Sequence, residues 1–349
     1  MSVSGSNPEY VTARVKARES ALYGDEEYRK LVRMTPAEIA RLMEESDYER
    51  EINALGSRYS GVDLIEYALN QNLARQFDDL LRWADGRLYD LIARYLRKFD
   101  AWNVKTLIRG IYSGADADTV DDDLIRAGEF DDELLDSLLD VGSIEEIVER
   151  LSTAGTIYGS ELNSAYDDYD ESGVLIPLEN AVDRTYYEQL LADLTVDEAT
   201  AQYREFLEAE IDFRNVQNAF RLAQSGADID PAAYYIDGGS LFTATELTTL
   251  AQNRNELIEA IRGSRYGDDL SEALNQIETA DSLIQFERAL DNALLEYSDT
   301  LGTVHPLSVT PVVSYILAKE REVDNIRAIA RGREAGLSDD EIEQEFVQR

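Results

Sequence analysis

The sequence predicts an all-α protein made of three homologous helical subdomains, and three observations predict it. Ala, Leu, Glu, Arg and Ile recur at three- and four-residue spacing along most of the 349 residues. Alternating β-rich runs are few, and one helical signature is written three times at nearly equal intervals. A unit of about 110 residues can hold a small core of its own, unlike a solenoid repeat of ~20–50 residues.

The signature reads Asp100-x-x-Asn103-Val104, then Asp212-x-x-Asn215-Val216, then Glu322-x-x-Asn325-Ile326, with asparagine spacings of 215 − 103 = 112 and 325 − 215 = 110. Each copy carries an arginine six residues past the asparagine (Arg109, Arg221, Arg331) and a glycine eleven past it (Gly114, Gly226, Gly336). Upstream, Ile65-Glu66-Tyr67-Ala68-Leu69, Leu178-Glu179-Asn180-Ala181-Val182 and Phe286-Glu287-Arg288-Ala289-Leu290 share an apolar-Glu-x-Ala-apolar pattern. Further upstream lie Tyr59-Ser60-Gly61, Tyr158-Gly159-Ser160 and Tyr266-Gly267-Asp268, each after an amphipathic segment at 34–55, 130–151 or 241–261. Gly and Asp clusters at 113–118, 166–173, 225–230 and 237–240 read as punctuation. The repeated glycines suit left-handed helix C-caps, so subdomain boundaries are drawn just after the first two, giving 1–116, 117–228 and 229–349.

Apolar residues fall at +1, +4, +5 and +8 from each asparagine, as in Val104, Leu107, Ile108 and Ile111, which is one face of a helix. The third copy breaks the pattern at Arg333. The acid at −3 lies four residues before +1 and therefore extends the buried row. A half-buried carboxylate needs partners, either the backbone N–H groups of a neighbouring helix start or an arginine on an adjacent helix. We read Asp100, Asp212 and Glu322, with their asparagines, as packing determinants that fasten each unit internally, and read Glu66, Glu179 and Glu287 in the same way. The alternative is a threefold carboxylate cluster on a pseudo-axis, serving a hydrolase or a metal site.

Seventy-one acids against 33 bases give a formal charge of −38, and lysine occurs only at positions 16, 30, 98, 105 and 319. Such self-repulsion loosens a compact state in dilute buffer, whereas molar salt shortens the Debye length to about 3 Å. The composition therefore reads as adaptation to a salt-rich cytoplasm, and it argues against a nucleic-acid partner. The absence of cysteine excludes disulfides and thiolate sites. No apolar run reaches the ~18–20 residues of a membrane span, and the first ten residues lack the features of a signal peptide, so the expectation is a cytoplasmic protein.

Motifs for chemistry are scarce. The single histidine, His305, precedes Pro306 and reads as a loop or cap residue; no phosphate-binding glycine loop and no H-E-x-x-H occurs. No catalytic residue, cofactor or small-molecule substrate is expected. Asp168, Asp170, Ser172 and Gly173, followed by Glu179, match a twelve-residue calcium loop, although Pro177 falls inside it and Ile176 replaces its polar ninth position. Arg94, Arg97, Lys98, Lys105 and Arg109 form the most basic stretch, read as local neutralisation of acids or as contact with an acidic partner.

The repeated acid-x-x-Asn helix, the Glu-x-Ala helix, the N-terminal segment from Tyr10 to Ala17 and the run from Pro311 to Ile326 together resemble the C subunits of archaeal and bacterial A/V-type rotary ATP synthases, relatives of the d subunits of vacuolar ATPases. The resemblance spans about Tyr10 to Val347. It implies a funnel of three subdomains around a pseudo-threefold axis, peripheral on the cytoplasmic face of the membrane. Such a body would join the membrane rotor ring to the central stalk and transmit torque for proton-driven ATP synthesis without performing chemistry itself. The residues alone also fit a helical scaffold or adaptor of another acidic complex.

Overall fold

The computed structural model describes residues 5–192, 194–195, 197, 200–225, 234–280 and 283–343. Helices α1 to α19 follow one another, and no strand occurs among the described residues. The all-α expectation is met. Gly226 and the subdomain boundary at 228/229 lie outside the described residues.

The chain forms two compact units, residues 1–144 with 311–349, and residues 145–310. The first unit opens with α1 (Pro8–Glu19), α2 (Asp25–Leu31), α3 (Pro36–Met43) and α4 (Glu49–Leu55). It continues through α5 (Gly61–Trp83), α6 (Arg87–Leu96), α7 (Lys98–Ser113), α8 (Ala117–Asp123) and α9 (Asp132–Leu139). Apolar residues at helical spacing on α5, including Ile65, Leu69, Leu73, Phe77 and Leu80, are buried, and α1, α3, α4, α6 and α8 pack against this helix.

The second unit takes up α10 (Ile144–Thr153), α11 (Gly159–Ser172), α12 (Ile176–Leu191) and α13 (Ala201–Ser225). Then come α14 (Ala244–Leu250), α15 (Arg254–Arg262), α16 (Ser271–Ala280) and α17 (Leu283–Val304). In its core α13 lies against α17, where the Phe220 and Phe286 rings meet edge to face at 4.5 Å. The chain then returns to the first unit with α18 (Thr310–Glu334) and α19 (Asp339–Glu343). There α18 is tied to α5 by Tyr315 Oη donating to Gln76 Oε1 at 3.1 Å and Arg327 donating to Asn70 Oδ1 at 2.9 Å.

Each amphipathic segment is a pair of short helices rather than one. The first helix of each pair starts at a side-chain cap: Thr35 accepts the Glu38 N–H, Asp131 accepts that of Leu134, and Thr243 accepts that of Glu246. Thr35 and Thr243 form complete capping boxes. Two of the three repeated glycines are seen, and both adopt the left-handed conformation at a helix end, Gly114 at φ 73° and Gly336 at φ 76°. Beside them, Ala115 N–H reaches Gly110 O at 2.9 Å and Leu337 N–H reaches Gly332 O at 3.0 Å.

One punctuation cluster is corrected by the structure. Tyr166 to Ser172 continue helix α11, which ends only at Gly173 in the left-handed conformation. The acids Asp167, Asp168, Asp170 and Glu171 there are exposed to solvent, and the Ser172 hydroxyl donates back to the Asp168 carbonyl at 2.6 Å in the last turn.

Candidate functional site: the repeated carboxylate clasps

Asp100 on α7, Asp212 on α13 and Glu322 on α18 are each only 2% exposed, the position the extended apolar row requires. The row itself is buried at Val104, Leu107 and Ile108, at Val216, Ala219 and Phe220, and at Ile326, Ile329 and Ala330. Arg333, where the third row breaks, turns its guanidinium toward the Asp339 carboxylate and the Leu337 carbonyl, which lock the turn into α19.

The Asp100 carboxylate accepts the backbone N–H groups of Glu129 at 2.8 Å and Phe130 at 3.0 Å. Three residues on, Asn103 donates to the Ile125 carbonyl and accepts the Ile125 N–H, both at 2.8 Å. The second copy repeats this. Asp212 Oδ1 accepts Ser240 N–H at 2.8 Å and Leu241 N–H at 2.9 Å, while Asn215 exchanges both bonds with Ile236 at 2.9 Å. The acid satisfies the free N–H groups leading into the next helix pair, and the asparagine stands in for a missing peptide group.

Close approach of carboxylate and backbone leaves no room for a side chain on the loop. Gly128 and Gly239 both fill that position, and an added Cβ would overlap the Asp100 carboxylate in one case and Asp212 Oδ1 in the other. These two glycines were missed in the repeat pattern. A signal for them exists, because each ends an Ile-x-x-Gly run, Ile125 to Gly128 and Ile236 to Gly239.

The third carboxylate is held differently. Glu322 Oε2 accepts Tyr23 N–H at 2.5 Å, while Oε1 receives the Tyr48 hydroxyl at 2.6 Å and Lys319 Nζ at 2.7 Å. Lys319 also donates to Tyr48 Oη at 2.7 Å and lies 4.1 Å from that ring's centroid. Glu322 thus binds the α18 helix to residues near the start of the sequence. The two ends of every clasp lie in one compact unit: Asp100 with Glu129 and Phe130, and Glu322 with Tyr23 and Tyr48, in the first, and Asp212 with Ser240 and Leu241 in the second. Asp100 and Asp212 tie their helices to the loop ahead of the next helix pair, and Glu322 ties α18 to Tyr23 and Tyr48.

Burial raises the pKa of Asp100 to about 7, opposed by its two backbone N–H donors. Burial raises Asp212 as well, opposed by the Leu241 and Ser240 N–H groups and by Arg265, which lies 3.5 Å away. Burial lowers Lys319, with Glu322 acting in the opposite sense, and pushes the Tyr48 hydroxyl far above its usual value. Both oxygens of each of the three carboxylates are bonded by groups of the chain itself.

The Glu-x-Ala helices supply a second set of contacts, again inside the two compact units. Arg221 donates to Glu287 at 2.5 Å, and Arg331 bonds both oxygens of Glu66, one of them at 2.9 Å. Glu179 sits half-buried on α12. Asn325 is buried beside its clasp at 4% exposure. The calcium-loop residues do not form a loop: Asp168, Asp170 and Ser172 lie on α11, Gly173 caps it, and Glu179 lies on α12. No group of three or more acids or histidines that could hold a metal occurs among the described residues. His305 follows α17, where its N–H caps the Leu301 carbonyl. In the basic stretch, Arg97 meets Glu129 at 2.7 Å and Lys98 meets Glu320 at 2.8 Å, as local neutralisation requires.

These features define an all-helical protein with a recurring buried-acid clasp. The chain matches the family described as ATP synthase (C/AC39) subunit over residues 11–345. It is 94% identical over 347 residues to the A-type ATP synthase C subunit of Haloquadratum walsbyi, covering 99% of this chain and 100% of the relative. Identity is 74% to the corresponding subunit of Haloferax volcanii, with 98% of each chain covered, and 58% to that of Halobacterium salinarum, with 99% of each covered. The chain belongs to the ATP synthase (C/AC39) subunit family. Its acid-rich, lysine-poor composition is that of the family's salt-adapted version.

Proposed function

We propose that the chain is the non-catalytic coupling subunit of an A-type ATP synthase. On this reading it joins the membrane rotor ring to the central stalk at the cytoplasmic face and transmits torque for proton-driven ATP synthesis. Its body is three homologous subdomains, 1–116, 117–228 and 229–349. Family membership supports the assembly. The observation that supports the mechanical role is the clasp series, in which Asp100, Asp212 and Glu322 each fix a helix to a segment distant in sequence through buried bonds. Torque is passed on only by a body that deforms little, and densely packed interiors with satisfied polar groups have low compressibility. No helix among the described residues is long and apolar enough to cross a membrane, so attachment to the ring would be through protein surfaces.

Co-purification tests this reading. In cells lacking the chain, the rotor ring should purify without the central stalk, and re-expression should restore their association. A stalk that stays on the ring in the deletion strain would sink the proposal.

A further inference from the structure

The segment from Tyr10 to Ala17 on α1 presents a surface that its packing leaves unexplained. Val11 and Val15, four residues apart, are fully buried, whereas Tyr10 and Arg14, also four apart, remain exposed, Tyr10 at 48%. The Arg14 guanidinium lies 4.6 Å from the Tyr10 ring centroid and 4.9 Å from that of Trp83, at the end of α5. Arg18 lies over Trp83 as well, at 4.3 Å.

The neighbouring cations are neutralised within the chain. Arg18 meets Asp79 at 2.5 Å, Lys16 meets Glu19 at 2.7 Å, and Arg82 pairs with Asp78. Arg14 is held by rings, and no carboxylate of the described residues forms an ion pair with it. Acids outnumber bases 71 to 33, so a shortage of intramolecular carboxylates does not account for this.

We propose that the Tyr10–Arg14–Trp83 stack is a docking point for an acidic segment of a partner protein in the complex, with a carboxylate side chain entering against the N–H edge of Arg14. The proposal rests on the reading of the chain as part of an ATP synthase. Stacking occupies the flat faces of a guanidinium and leaves its in-plane N–H fork, the geometry that binds a carboxylate through two parallel bonds. The rings also fix the rotamer before binding, which lowers the ordering cost. A lipid surface is the poorer fit, because anionic headgroups are recognised by clusters of about 4–8 basic residues and the bases around Arg14 are already paired.

The test is made on the assembled ATP synthase with a photoreactive benzoyl-phenylalanine in place of Tyr10. Light should cross-link the chain to a peptide of another protein of the complex, with Asp or Glu near the attachment point. Adding Arg14→Gln should lower the yield about tenfold, the effect of losing one charge-assisted pair, while Arg14→Lys should recover part of it. Both substitutions are at an exposed position, and unchanged melting temperatures would verify folding. Cross-links confined to this chain or to lipid, or a yield indifferent to Arg14→Gln, would overturn the proposal. The stoichiometry of the complex in the same sample separates the two levels. Absence of the chain from the complex defeats the functional reading and this proposal together, whereas a present but uncross-linked chain defeats this proposal alone.

Discussion

Asn103 grips Ile125 at both ends of its amide, donating to the carbonyl and accepting the N–H at 2.8 Å in each direction. Asn215 does the same to Ile236. Only a side chain with a donor and an acceptor in fixed geometry can do this. Asn103→Asp should therefore destabilise the protein by about 2–3 kcal/mol, since two oxygens then face each other in a buried site. Asn215→Asp should behave alike. Thermal melts in molar salt would check the pair, and a change below about 0.5 kcal/mol at either site would show that the exchange contributes little.

The loop glycines make a sharper comparison. Gly128→Ala and Gly239→Ala each drive a methyl group into the clasping carboxylate, and each should lose about 1–3 kcal/mol. Gly142 has open space around it and no positive φ, so Gly142→Ala should change stability by less than about 0.5 kcal/mol. Equal effects at all three positions, measured by urea unfolding at fixed salt, would contradict the close-approach argument.

Asp100 sets a pH dependence whose sign follows from its raised pKa. The folded value is about 7, against roughly 3.9 for an unfolded aspartate, so the folded state holds the proton more tightly. Its contribution is then full below about pH 4 and declines as pH rises toward 7. Asp100→Asn removes the titration. The stability difference between wild type and this variant should shrink by roughly 1–4 kcal/mol between pH 4.5 and pH 8. A difference that grows with pH would mean that the two N–H donors outweigh burial.

The charge of −38 predicts that stability falls with dilution of salt. Melting temperature should drop by about ten degrees or more between about 3 M and 0.1 M KCl, as screening lengthens from about 2 to 10 Å. An unchanged melting temperature would remove self-repulsion from the account.

Much of the fold was legible because it is written in local periodicity. The apolar row following Asn103 and the burial of Asp100 both follow from 3.6-residue geometry. Gly114 and Gly336 were readable as caps because a helix end there needs a left-handed residue. The partners of the acids were not legible. Glu129, Phe130, Ser240 and Leu241 contribute backbone N–H groups from loops, which carry no side-chain signature, and Tyr48 lies 274 residues from Glu322. The acid-rich run from Tyr166 to Ser172 misled for a related reason: solvated aspartates look like a turn, although they cover the outer face of α11 equally well.

The most direct test of the coupling role uses inverted membrane vesicles from cells lacking the chain and from cells in which it is restored. The account predicts that the deletion abolishes ATP synthesis driven by an imposed proton gradient, while ATP hydrolysis by the detached head persists, and that restoration recovers synthesis. Gradient-driven synthesis at wild-type rates without the chain would contradict it.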